Sequence, residues 1–132
     1  MNIQYPVLIE PGNAETAWGV IFPDLPGCFS ASDHERDILQ KAREAALLYL
    51  ESLDEIPSPS DIADHIDRAQ REGFVVSLID VDLMKIEGPS KRININVPAS
   101  LLARIDIAAK AQGKSRSAFM TEAAVNYANR RT

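Results

Sequence analysis

Three side chains alternate along Lys91-Arg92-Ile93-Asn94-Ile95-Asn96-Val97 in a way that could read nucleic acid. On a strand, Arg92, Asn94 and Asn96 share one face, while Ile93, Ile95 and Val97 share the other. Arginine can fork onto guanine O6 and N7, and asparagine onto adenine N6 and N7, each good pair discriminating by about 1–3 kcal/mol. Farther on, Lys114-Ser115-Arg116-Ser117 stands where a helix begins. Two cations, two hydroxyls and the free amides of a helix N-terminus make a phosphate clamp. Lys91, at the head of the strand, adds another phosphate contact. The chemistry implied is base reading by Arg92, Asn94 and Asn96, with Lys91, Lys114, Ser115, Arg116 and Ser117 on the phosphates.

The other candidates have simpler explanations. Asp80 and Asp82 stand two apart on a strand, as paired metal-binding carboxylates do. A working metal site needs three or four convergent carboxylates, and the early strands offer only Glu10, Glu15 and Asp24 at loops or strand ends. His34 and His65 lack ligand spacing and are expected at the surface. Cys28 follows Pro-Gly with no histidine placed to activate it, so it is expected as a small buried filler. Trp18 and Phe22 belong to an alternating core face. Neither catalysis nor a metal or cofactor is expected.

Strands and helices must hold these residues. Ile3, Tyr5, Val7 and Ile9 alternate with polar residues, Pro11-Gly12-Asn13 turns the chain, and Trp18, Val20 and Phe22 alternate again. That pattern predicts a hairpin. Residues 28–31 suit a short third strand. Ser32 and Glu35 have capping-box spacing ahead of a helix over 33–53, with Ile38, Ala42, Ala46 and Leu50 at helical spacing. After Ile56-Pro57-Ser58-Pro59-Ser60, a polar helix over about 60–72 places Ile62, Ile66 and Ala69 inward and ends at Gly73. Residues 74–81 read as a central strand. Gly88-Pro89-Ser90 is the expected hinge. Beyond the strand at 91–97, Pro98 opens a helix carrying Leu101, Leu102, Ile105, Ala108 and Ala109. Gly113 ends it, and Ser115 caps a second helix with Phe119, Ala123, Ala124 and Tyr127 inward.

The charge divides at the same hinge. The 132 residues carry a formal net charge of −5. Residues 1–88 hold six basic and seventeen acidic groups, a net of −11; residues 89–132 hold eight basic groups against Asp106 and Glu122, a net of +6. Such asymmetry indicates two modules with different partners. The second is too small to bury a core alone, and a lone strand leaves both edges open. Pairing with its twin repairs both defects, so this module is expected as a homodimer, with tetramers as a further level left open. A single cysteine excludes an internal disulfide, and no membrane span can be drawn. The expected compartment is the reducing cytoplasm.

The strand Arg-Ile-Asn-Ile-Asn-Val-Pro, Leu101 with Ile105, and Gly113-Lys114-Ser115-Arg116-Ser117-Ala118-Phe119 resemble a ribbon-helix-helix DNA-binding domain. The front residues Phe22-Pro23-Asp24-Leu25-Pro26-Gly27-Cys28-Phe29-Ser30, Asp33, Leu48-Tyr49-Leu50-Glu51 and Ile56-Pro57-Ser58-Pro59-Ser60 are similar to HicB antitoxins. The resemblance implies an α+β chain: a truncated RNase H-like βββα(α)β domain over 1–88 and a ribbon-helix-helix βαα domain over 89–132. It further implies inhibition of a HicA-type mRNA-cleaving toxin and repression of the pair's operon at double-stranded operator DNA. An acidic module suits a cationic ribonuclease, with Asp24 as the one candidate toxin contact. The alternatives are a free-standing repressor whose front domain senses a ligand or only oligomerises, and a residual nuclease.

Overall fold

The computed structural model describes residues 2–88 and 90–130. Met1, Pro89, Arg131 and Thr132 lie outside them, and with them the centre of the expected hinge and one tail cation. The described residues divide into two units, one of Asn2–Gly88 and one that follows residue 89.

In the first unit, alternation makes the sheet. Strand β1 (Asn2–Glu10) pairs antiparallel with β2 (Trp18–Ile21) and with β4 (Val75–Asp82), and β2 pairs with β3 (Phe29–Ser32), giving the order β3-β2-β1-β4. Tyr5 lies opposite Ile79, and Ile9 opposite Val20, so one face of the sheet is continuously apolar. Helix α1 (Glu35–Glu51) covers that face with Ile38, Ala42, Ala46 and Leu50, one per turn. Tyr5, Val7, Val20, Phe22, Leu25, Ile79 and Val81 complete the core, all buried. A 3₁₀ turn (Ile62–His65) and the short helix α2 (Ile66–Glu72) touch β4, and Ala69 is buried there. Gly73, at φ 73°, stops α2 in the left-handed region that glycine adopts without strain.

The local departures from the expected pattern have local causes. Ser32 does not form a capping box: its Oγ accepts from the His34 amide at 3.2 Å, and His34 occupies the cap position. The expected helix over 60–72 starts as a 3₁₀ turn because the Ser60 amide is held by Asp24 and His65 departs from helical geometry, with φ −114° and ψ −3°. Ile62 and Ile66 are consequently exposed rather than inward. Cys28 closes the turn before β3 and does not begin the strand; its amide donates to the Leu25 carbonyl at 2.9 Å.

The second unit consists of α3 (Ala99–Ala111) and α4 (Arg116–Arg130), packed on each other. Pro98 caps α3, and its C-terminus is a Schellman turn: Lys114 N–H donates to Ala109 O at 2.9 Å and Gly113 N–H to Lys110 O at 3.0 Å, with Gly113 at φ 67°. Residues 91–97 have no strand pairing in the single chain. A strand exists only where its amides and carbonyls find a second backbone, and among the described residues none is offered. Ala123, Ala124 and Tyr127 are exposed, whereas the hydrophobic residues Phe119, Met120 and Val125 of α4 are partly buried. No helix among the described residues is long and apolar enough to cross a membrane.

Candidate functional site

The proline-rich loop of the first unit is fastened from three sides. Buried Tyr5 needs an acceptor for its hydroxyl, and donates to Pro57 O at 2.6 Å. Tyr49, on α1, donates to Pro26 O at 2.7 Å. Asp24 Oδ2 accepts from the Ser60 amide at 2.9 Å and from Ser60 Oγ at 3.0 Å, and Ser60 Oγ lies 2.7 Å from His65 Nε2. Thus Asp24 joins Phe22-Pro23-Asp24-Leu25-Pro26 to Ile56-Pro57-Ser58-Pro59-Ser60, and Leu25 is buried beneath. The chain of contacts puts serine between aspartate and histidine. A hydrolytic triad requires histidine in the middle, so the arrangement is a latch and not a nucleophile.

Electrostatics agrees with that role. Burial, reinforced by the nearby Asp24 carboxylate, pushes the Tyr5 hydroxyl up to about 12, so it stays a donor. Burial also raises the Cys28 thiol, which disfavours the thiolate. His34 is exposed as expected. His65 is not a plain surface residue: it is half-buried and committed to Ser60. Asp80 and Asp82 lie on the face opposite α1, across from Gln4 and Asn2. Among the described residues, no three His, Cys, Asp or Glu side chains come together as a metal site.

In the second unit, Lys91, Arg92, Asn94 and Asn96 are all exposed, as are Ser115, Arg116 and Ser117. So are the residues between them: Ile93 is 77% exposed and Ile95 57%. Ser115 caps α4, its Oγ accepting from the Ala118 amide at 3.1 Å. The amides of Arg116 and Ser117, ahead of that bond, have no acceptor within the helix.

Two ion pairs alter the expected clamp. Arg116 forks onto Asp106, with Nε–Oδ1 at 2.9 Å and Nη2–Oδ2 at 2.8 Å. The hydrogen-bonded guanidinium holds the Asp106 carboxyl below the usual carboxylate range and raises Arg116 in turn. Lys114 pairs with Glu122. Two of the three cations assigned to phosphate, Lys114 and Arg116, are therefore matched by the two acidic side chains of residues 89–132. That scarcity was the available signal: with two acids in such a basic segment, each has a cation to hold. The loop contacts of Tyr5, Tyr49 and Ser60 left a weaker trace, since only a buried tyrosine's need for an acceptor could suggest them.

A model of the HicB-like antitoxin of bacterial toxin–antitoxin systems matches residues 5–124. An uncharacterized 14.9 kDa protein from the rep-hol intergenic region of Haemophilus phage HP1 is 38% identical over 128 residues, 92% of this chain and 95% of that protein. The crystal structure of the Burkholderia pseudomallei antitoxin HicB superposes with a TM-score of 0.60 at 27% identity, spanning 92% of this chain and 96% of that one. A chain of a HicA3–HicB3 toxin–antitoxin complex matches at 31% identity with a TM-score of 0.52, over 61% of this chain and 99% of that one. The chain belongs to the HicB-like antitoxin family of bacterial toxin–antitoxin systems.

Proposed function

We propose that this chain is a non-enzymatic antitoxin and autorepressor. Its first unit, a truncated RNase H-like domain, binds and inhibits a HicA-type mRNA-cleaving toxin. Its second unit, a ribbon-helix-helix domain, dimerises and binds operator DNA. The observation that carries the proposal is that the reversal of charge falls between two separately packed units, −11 before residue 89 and +6 after it. A toxin that grips RNA phosphates presents cations, which the acidic unit attracts and can screen from RNA. The related HicA3–HicB3 complex supports a toxin as the partner.

Ile93, Ile95 and Val97 belong to an apolar face that a second copy of the segment would cover, its ladder supplying the hydrogen bonds that residues 91–97 lack. Arg92, Asn94 and Asn96 then stand twice on the outer face of a two-stranded ribbon, which the DNA major groove admits. The free amides of Arg116 and Ser117, with Lys91, Lys114, Ser115 and Ser117, take phosphates. Arg116 can reach one only by leaving Asp106. Asp24 acts on toxin binding by holding the proline loop in shape.

Co-expression with a HicA-type toxin is the direct test. The pair should co-purify, and toxin ribonuclease activity should return when the first unit is disrupted. A chain that binds its operator but leaves the toxin active would instead be a free-standing repressor.

A further inference from the structure

Strand β3, four residues long, is an edge of the sheet. It lies at the end of the sheet order, and Phe29-Ser30-Ala31-Ser32 carries none of the lysines or prolines that commonly blunt an edge. Phe29 is 71% exposed, more than any other aromatic residue of the first unit. It borders a groove of about 650 Å³ whose lining includes Gly19, Ile21 and Ala31, with Glu10 and Arg68 among its walls.

The direction of the free backbone groups follows from the register. Phe22 N–H donates to Cys28 O at 3.3 Å, which makes that pair hydrogen-bonded. Pairs alternate along an antiparallel ladder, so Val20–Ser30 and Trp18–Ser32 are bonded, and Ile21–Phe29 and Gly19–Ala31 are not. Phe29 and Ala31 therefore turn their amides and carbonyls to the open edge. Their side chains share the sheet face opposite α1 with Ile21 and Gly19.

We infer that β3 pairs antiparallel with β3 of a second copy of this chain, about a twofold axis at Ser30. In that register Phe29 and Ala31 of each copy exchange both backbone bonds with Ala31 and Phe29 of the other. The contact is closed and self-complementary, as a twofold interface must be. Each phenyl ring lies over the small Ala31 of the other copy, with Gly19 next in the row, so bulk meets space on both sides of the axis. No charged residue lies on β3, and Asp33 falls opposite Gly27 rather than another acid. This contact is separate from the one assigned to residues 91–97, and it stands or falls without it.

The twofold axis gives a direct test. Ser30 faces Ser30 as a non-bonded pair, whose Cα atoms lie roughly 4.5 Å apart, within the range a disulfide spans. In full-length protein carrying Cys28→Ala, Ser30→Cys under mild oxidation should give a covalent dimer on a denaturing, non-reducing gel. Thr16→Cys, exposed in the loop before β2, should stay a single chain. Adding Phe29→Glu, or Ala31→Pro to remove an amide that serves only the open edge, should abolish the dimer band. Circular dichroism should show both variants folded. Cross-linking of Ser30→Cys no greater than that of Thr16→Cys would overturn the pairing, as would a dimer band untouched by folded Phe29→Glu.

Discussion

The two units of this chain bury themselves to different degrees. In the first, Tyr5, Phe22, Leu25, Leu50 and Ile79 are almost wholly enclosed by one chain, and a helix lies across the sheet to enclose them. In the second, Ala109 is the only hydrophobic residue among those described that reaches the same condition, while Ile93, Ile95, Leu101 and Ile107 face solvent. The difference is one of size and closure. Eighty or so residues can wrap one layer around another, whereas two short helices and an extended segment cannot. In the proposed DNA-binding role, dimerising through this open apolar face would also double the side chains offered to bases.

The largest effect should come from attacking the open face. Ile93→Asp or Ile95→Asp places a charge where a second copy is proposed to cover the segment, and should abolish operator binding in a gel-shift assay. Toxin inhibition by the same protein should persist, since the first unit closes its own core. Retained operator binding would mean that the exposed isoleucines have no partner, and the contrast between the units would lose its meaning.

The converse substitution strikes the closed core. Phe22→Ala removes a fully buried ring and should destabilise the first unit by about 3–5 kcal/mol, read by chemical denaturation. Toxin inhibition should fail before operator binding does. Simultaneous loss of both would show that the units fold as one.

Much of this contrast was legible in the residues. Alternation in β1 and β2, the one-per-turn spacing of Ile38, Ala42, Ala46 and Leu50, and Gly73 and Gly113 as helix stops all appear in the sequence as they do in space. The failures share a cause. Ser32 and Glu35 satisfied a local pattern, yet the Ser32 hydroxyl was taken by His34; Ile62 and Ile66 kept helical spacing, yet Ser60 was claimed by Asp24 thirty-six residues away. Long-range hydrogen bonds leave no periodic trace. Nor does spacing reveal that Arg116 is held by Asp106, because that pair forms only once the turn at Gly113 folds α4 back on α3. Residues 91–97 stand apart from these, since their strand pattern describes an object of two chains.

A smaller effect separates base reading from phosphate holding within the second unit. Asn94→Ala should weaken binding to operator against non-operator DNA by about 1–3 kcal/mol, while leaving binding to random sequence unchanged. Asp106→Asn releases Arg116 and should do the reverse, tightening binding to any duplex and steepening its salt dependence through an additional phosphate contact. Equal loss on both duplexes in Asn94→Ala would remove that residue from the base-reading set.

The smallest effect tests how tightly the first unit holds its loop. Tyr5→Phe deletes the bond to Pro57 O and should cost about 1 kcal/mol near neutral pH, the ordinary net worth of a hydrogen bond. Its pH dependence is the sharper signature. Burial and the Asp24 carboxylate hold the folded hydroxyl up at about 12, against the ordinary tyrosine value of about 10 in the unfolded chain. The unfolded chain therefore releases this proton first, so the tyrosine's contribution is complete below pH 10 and falls as pH rises from 10 toward 12. Tyr5→Phe should remove that alkaline loss, so the two stability curves converge above pH 10. Parallel curves through that range would show that Tyr5 is not held neutral beside Asp24, and that the loop is fastened by Tyr49 and Ser60 alone.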